Sequence, residues 1–335
     1  MKTALITGIT GQDGWYLSKL LSTKDYQIFG MVTDLNNSNT KDFSCEFPNI
    51  KLVKGDLTDT SSLNLLVNEI MPDEVYNFGG LSSVRLSFID PEAVVNVNGI
   101  GVIRLLEACK NISSKKQIRI YQASSSEMFG RAEVIMQNEN SPFQPVSPYG
   151  VSKVLAHQTA KNYREIFNIY VSCGITFNHE SERRDLEYVT RKITNSVAKI
   201  KLGLLNKIHL GNLNSSRDWG YSGDYVEAMW KMLQMETPDD YVIATGKLHS
   251  ISELLKIAFN KIGMGGQENE FIASDPSNLR PVELNTIAGD ISKAEKILNW
   301  KPKTSFEDII GKMVSNDLKL EAKKANLALP KTPVT

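Results

Sequence analysis

The sequence predicts a doubly wound α/β fold with a parallel sheet and a smaller C-terminal α/β lobe, and three observations carry that reading. Short β-rich runs alternate with amphipathic stretches through the first half of the chain. A glycine-rich turn follows the first of those runs, and the texture becomes irregular after Thr176. Strands alternating with helical stretches imply parallel neighbours joined by crossover helices, since antiparallel neighbours need only a tight turn. The β-rich runs are Thr3–Thr7, Gln27–Val32, Lys51–Val53, Glu74–Phe78, Arg119–Ala123 and Tyr170–Ile175, and Tyr241–Ala244 reads as a later return to the sheet. Between them Trp15–Leu21, Ser61–Ile70 and Val102–Cys109 space their apolar residues at helical period. Residues 1–176, with return segments near 217–245, form the expected sheet domain. Residues 177–216 and 246–320 form the lobe, and residues 321–335 a tail whose poorly ordered character begins near Lys319.

Composition limits the function classes. Lys+Arg and Asp+Glu balance at 38 each in 335 residues, so no overall field attracts nucleic acid or an anionic membrane. No apolar run reaches the roughly 20 residues that span a bilayer, and the expected location is cytoplasmic. Cys45, Cys109 and Cys173 have no CxxC spacing, which suggests neither a disulfide framework nor a metal site; they read as small buried side chains in a reducing compartment.

The run Gly8-Ile9-Thr10-Gly11-Gln12-Asp13-Gly14 follows the first strand directly and opens a helix. Glycines there permit a tight turn, a close approach to a pyrophosphate and close helix–strand packing, and the helix N-terminus offers N–H groups to the phosphates. The fold is therefore Rossmann-type, with NAD(P) as the expected cofactor. Gly55-Asp56-Leu57-Thr58 follows the third strand, where an adenine would lie, although Asp56 would equally cap the next helix. After the second strand Asp34 stands with no basic residue before Lys41. A carboxylate there accepts from a free ribose 2′-hydroxyl and repels a 2′-phosphate, so this loop favours NAD.

Tyr149 and Lys153 stand four residues apart and project from one helical face. A cationic lysine beside a phenol lowers the tyrosine pKa and creates a base for a sugar hydroxyl. Ala123-Ser124-Ser125-Ser126-Glu127 ends a strand upstream, where open α/β sheets place their ligands. Ser125 would then share the oxygen that Tyr149 deprotonates. Together these residues resemble the extended short-chain dehydrogenase/reductase superfamily. Glu127 narrows the chemistry: oxidation at one carbon needs no second base, whereas elimination of water next to a new ketone does.

Longer runs resemble the GDP-mannose 4,6-dehydratase family over nearly the whole chain. They are Thr7–Gly14, Gly55–Asp59, Tyr121–Glu127, Phe177-Asn178-His179-Glu180-Ser181, Val189–Lys192, Gly211–Leu213, Arg217-Asp218-Trp219-Gly220, Asp224–Trp230 and Arg280–Glu283. The resemblance implies oxidation at sugar C4, loss of water across C5 and C6, and internal hydride transfer from C4 to C6 by a tightly bound, recycled cofactor. It assigns Ser125, Glu127, Tyr149 and Lys153 to catalysis. Cofactor contacts would come from the glycine loop, Asp56, Leu57, Phe78, Gly79, Gly80, Ser82, His179 and Arg184. Ser83, Asn178, Lys192, Arg217, Arg280 and Glu283 would meet the GDP-sugar. The family's usual cofactor is NADP and its association tetrameric, whereas the superfamily's default is a homodimer, so a homodimer or homotetramer is expected. Departures stand at Thr33 and Asp34, where the family has two arginines, at Ser83 for a His, at Ala93 for a Tyr, and at Glu182 for a Pro. These leave a related substrate such as a GDP-manno-heptose open, and a GDP-sugar 4-reductase or epimerase on the same scaffold is the alternative activity.

Overall fold

A computed structural model describes residues 1–275 and 286–329. Its central sheet has seven strands: β1 (Lys2–Thr7), β2 (Tyr26–Val32), β3 (Lys51–Lys54), β4 (Glu74–Asn77), β5 (Arg119–Ser125), β6 (Tyr170–Thr176) and β7 (Asp240–Ile243). Their spatial order is β7-β6-β5-β4-β1-β2-β3, and every neighbouring pair is parallel. The helices used below are α1 (Gln12–Ser22), α2 (Ser38–Glu46), α3 (Thr60–Ile70), α4 (Gly101–Asn111), α5 (Pro148–Phe167), α6 (Val189–Lys201), α7 (Ser222–Met232), α8 (Ile251–Lys261) and α9 (Phe306–Lys324).

Successive strand residues point to opposite faces, and both faces are covered. Ile6, Tyr76 and Tyr121 pack with Leu17 and Leu21 of α1 and Met229 of α7. Their neighbours Leu5, Val75 and Ile120 pack on the other side with Leu63 of α3, Leu105 of α4 and Ala156 and Ala160 of α5. This double burial explains why the strands read as continuous apolar runs. A separate cluster joins Val197 of α6, Leu254 and Phe259 of α8, and Ile310 and Met313 of α9, and forms the core of the irregular C-terminal part.

Polar residues also tie the central strands together. Thr7 donates to Asn77 at 2.7 Å, Asn77 donates to Gln122 at 2.8 Å, and the Gly79 N–H donates to Thr7 at 2.9 Å. Between β1 and β4 the chain order reverses, and ligands bind outside the carboxyl ends of the strands at such a switch point. β5 runs two residues beyond the predicted end at Ala123, carrying Ser124 and Ser125 to the sheet edge. The tail expectation at Lys319 is corrected: α9 continues to Lys324, because Glu321 and Ala322 are buried and Asn195 of α6 donates to Glu321 at 3.0 Å. Cys109 and Cys173 are buried as expected, but Cys45 on α2 is exposed.

Candidate active site

The loop after β1 has the shape a pyrophosphate requires. Gly8 adopts φ +64°, and a Cβ there would stand 2.8 Å from the Gly79 nitrogen. At Gly14 a Cβ would stand 2.4 Å from the Ile9 carbonyl oxygen, so α1 packs against the Gly8–Ile9 turn closer than any side chain allows. No side chain caps α1 at Gly11, which leaves the first-turn N–H groups for an anionic ligand. Thr10 is exposed at the mouth of this loop. A nicotinamide dinucleotide fits these features, and it would supply the reversible hydride acceptor when bound.

Gln12 and Asp13 face the C-terminal part. Gln12 donates to the His179 carbonyl at 3.0 Å and accepts from Ser181 at 2.6 Å. Asp13 accepts from Ser222 at 2.7 Å and pairs with His179 Nε2 at 2.8 Å. His179 Nδ1 lies 2.8 Å from the Phe177 carbonyl, so both ring nitrogens meet acceptors and the imidazolium suits the site. Burial opposes that charge, but Asp13 outweighs burial and raises the His179 pKa. Burial likewise opposes the Asp13 carboxylate, and His179 outweighs it to lower that pKa. His179, expected beside the cofactor, thus meets the phosphate-loop helix through Asp13.

At the ribose end Asp34 is exposed, and its Oδ1 accepts from the Asn36 N–H at 2.8 Å. Asp56 closes a local turn by accepting from the Thr58 N–H and hydroxyl, both at 2.8 Å. Capping of α3 falls to Asp59, which accepts from the Ser61 and Ser62 N–H groups, and not to Asp56. Leu57 is buried beneath Gly79, where a Cβ would meet its Cδ1 at 2.9 Å. Phe78 packs edge-on against Tyr121 with centroids 5.6 Å apart, and a Cβ on Gly80 would meet Asn98 Oδ1 at 2.8 Å.

The four residues expected to be catalytic lie where β5 ends and α5 begins. Ser147 caps α5 by accepting from the Gly150 N–H at 3.0 Å, and Pro148 opens the helix with its fixed φ. That places Tyr149 in the first turn, near enough to Ser125 for the serine hydroxyl to affect its pKa. The Ser125 hydroxyl accepts from the Glu127 N–H at 3.2 Å, so serine and glutamate share one turn. The expectation of a phenol acidified by its lysine is corrected. Lys153 Nζ donates to the Ala123 carbonyl at 2.9 Å and lies 5.7 Å from the Tyr149 ring centroid. Burial raises the Tyr149 pKa, the Ser125 hydroxyl lowers it, and the Glu127 charge raises it further. The Lys153 pKa falls to about 8, mainly through burial. Pairs of titratable groups whose surroundings perturb their pKa values are candidates for acid–base work.

The remaining residues lie around this centre. Ser83 caps the short helix Val84–Ser87 by accepting from the Leu86 N–H at 3.2 Å. Ser82 meets the Tyr188 hydroxyl at 2.8 Å, and the Arg184 guanidinium lies 3.5 Å from the Tyr188 ring centroid and 3.2 Å from Glu180. Tyr188 was not singled out in the sequence; it stands at the N-cap of α6, at the end of an irregular segment that carries no periodic signal. Asn178 stands in register with Trp219 in a two-stranded ribbon. Arg217 donates to Ser216 and Ser215. Next to it buried Asp218 accepts from the Thr245, Gly246 and Gly289 N–H groups, fixing that segment. Lys192 is half-buried in the first turn of α6. Arg280 and Glu283 lie outside the described residues. Glu182 accepts from Tyr16 at 2.6 Å and from Tyr221 at 3.3 Å, linking α1 to the start of α7.

The parallel sheet, the uncapped glycine loop and the Ser-Tyr-Lys group define an extended short-chain dehydrogenase/reductase. A family model described as GDP-mannose 4,6 dehydratase matches residues 5–313. The chain is 45% identical over 337 residues to GDP-mannose 4,6 dehydratase 1 of Arabidopsis thaliana, covering 98% of this chain and 92% of that protein. The chain belongs to the GDP-mannose 4,6-dehydratase family. Its fold resembles the solved dTDP-glucose 4,6-dehydratase from Bacillus anthracis in complex with NAD (TM-score 0.80, 22% identity, 96% of this chain and 98% of that one). It resembles equally that of RMD from Pseudomonas aeruginosa complexed with NADPH (TM-score 0.80, 21% identity, 96% of this chain and 100% of that one).

Proposed function

We propose that this chain converts GDP-mannose to its 4-keto-6-deoxy derivative, losing one water while a bound nicotinamide cofactor ends as it began. The observation that carries the reading is Glu127, a carboxylate one turn from Ser125 and close enough to Tyr149 to raise its pKa. Ser125 and Tyr149 address one sugar hydroxyl, and Lys153, held on the Ala123 carbonyl, relays the phenol's proton. Glu127 removes the C5 proton, which the C4 ketone acidifies, and returns a proton to the departing C6 hydroxyl. Arg217 and Lys192 suit the GDP diphosphate and Asn178 the same GDP moiety, while Arg184 suits the cofactor, in keeping with family resemblance and with cationic recognition of phosphate. Glu127→Gln tests the mechanism. It retains cofactor, oxidises C4 in part and releases no dehydrated product; full turnover would remove Glu127 from the reaction.

The ribose end suits NAD. Asp34 presents a carboxylate with no basic side chain between Val32 and Lys41, and a 2′-phosphate would meet like charge there. Exposed apolar residues on α5 itself (Val151, Leu155) and on the segments before it (Leu86, Phe88, Ile89, Ile100) support a homodimer. Among the described residues, no helix is long and apolar enough to cross a membrane.

A further inference from the structure

On the face of α5 that carries the catalytic pair, a third residue continues the stripe. Tyr149, Lys153 and His157 follow at successive intervals of four, so they stand one above another on the helix. All three face the same strand. Tyr149 stands near Ser125, Lys153 Nζ donates to the Ala123 carbonyl at 2.9 Å, and His157 Nδ1 lies 2.9 Å from Ser124 Oγ. Ser124 directly precedes Ser125, and its own carbonyl accepts from Thr176 of β6 at 3.2 Å.

Behind the imidazole lies a buried polar network that no step of the reaction uses. His157 Nε2 stands 3.7 Å from Asp240 Oδ2, and Arg164 donates to both Asp240 oxygens at 2.8 and 2.9 Å. Arg164 also donates to the Val171 carbonyl at 3.0 Å. His157, Asp240, Cys173 and Ser124 are all less than a tenth exposed. Ligand-type atoms of His157, Cys173 and Asp240 lie within 4.8 Å of one another. The Arg164 fork already neutralises Asp240, however, and Ser124 occupies His157, so the cluster reads as a hydrogen-bonded brace and not as a metal site. Burial lowers the His157 pKa, and neutral imidazole satisfies the site with Nε2–H towards Asp240 and Nδ1 accepting from Ser124. A buried polar brace is retained where it fixes one arrangement, because its members are costly to leave unpaired.

We propose that His157, oriented by Asp240 and Arg164, is a positioning residue of the dehydratase: by gripping Ser124 it sets the register of α5 on β5, and so the placement of Tyr149 and Lys153 relative to Ser125 and Glu127. The brace bonds the strand residue next to Ser125 and stands one helical turn from Lys153. A shift of about 1 Å at reacting groups costs roughly 100-fold in rate.

The inference rests on the dehydratase reading, and the test separates the two. His157→Phe lowers kcat on GDP-mannose roughly 100-fold and leaves KM within about twofold. His157→Asn, whose Oδ1 replaces Nδ1 as acceptor, recovers most of the rate. Ser124→Ala reproduces the loss, and adding it to His157→Phe costs little more, as expected for one shared contact. Carbon-13 labelling of tyrosine Cζ, with the Tyr149 signal assigned by Tyr149→Phe, follows the phenol without substrate; its titration shifts in His157→Phe and returns in His157→Asn. Wild-type kcat and an unmoved Tyr149 titration in His157→Phe overturn the proposal, as does a loss confined to KM. Should His157→Phe fail to fold, Ser124→Ala decides on the same readouts. Wild-type protein inactive on GDP-mannose refutes the dehydratase reading alone, and the Tyr149 titration still judges the brace.

Discussion

At the residue scale the site turns on which side chains meet the reacting atoms and which hold those that do. On the proposed mechanism Tyr149→Phe removes the group that takes the C4 hydroxyl proton and lowers turnover by about 10³-fold, measured as product formed per enzyme at saturating substrate; a loss under tenfold would mean that another group moves that proton. At the ribose end, Asp34→Arg raises affinity for NADP relative to NAD, read as the ratio of the two dissociation constants, and an unchanged ratio would place Asp34 away from the ribose. The grouping of Tyr149, Lys153, Ser125 and Glu127 where β5 meets α5 was legible because their spacing encodes a helical face and a strand end. The state of Tyr149 was not. Spacing brings lysine and tyrosine together on one face, but it does not reveal that Lys153 spends its hydrogen bond on the Ala123 carbonyl or that burial dominates the phenol.

Among the elements, α1 shows how one helix serves two parts of the molecule. Its first turn offers N–H groups for phosphate, while Gln12 and Asp13 reach to Ser181, Ser222 and His179. Gly14→Ala forces a Cβ to 2.4 Å from a backbone oxygen that has no freedom to yield. It costs about 1–3 kcal/mol of stability and weakens cofactor binding, read by thermal melts with and without NAD; an unshifted melt would contradict the close packing. The Asp13–His179 link carries a pH signature. The folded His179 pKa lies above its ordinary 6.5, so the link's contribution is complete below that value and fades as pH rises through the folded pKa. Asp13 adds the opposite limb, with stability present above its ordinary 3.8 and lost as pH falls through its lowered folded pKa. The melting temperature of wild type relative to His179→Gln therefore peaks between those limits and falls towards neutral and alkaline pH. A difference that grows with pH would show that the imidazole is neutral. The glycine loop was readable from sequence, whereas partners far apart in the chain, such as Asp13 with His179 and Ser124 with His157, carry no periodic signal.

For the molecule as a whole, alternation of β-rich and amphipathic runs was enough to read a doubly wound sheet, and the six strands read from the first half all lie in it. The C-terminal part resisted such reading because its core is assembled from α6, α8 and α9, drawn from distant stretches of chain. The exposed apolar residues on and before α5 carry an assembly prediction: Ile89→Asp, placed where the side chain is 69% exposed, leaves the fold intact and converts a dimer to a monomer in analytical ultracentrifugation. A wild-type monomer would remove that role from them. The central claim is internal redox coupled to loss of water, and one measurement tests it most directly. GDP-mannose labelled with deuterium at C4 is incubated with the purified protein without added reductant, and the product is examined by mass spectrometry and NMR. The account predicts loss of one water with deuterium at C6; an unreacted substrate, or a product that keeps its oxygen or carries no deuterium at C6, would contradict it.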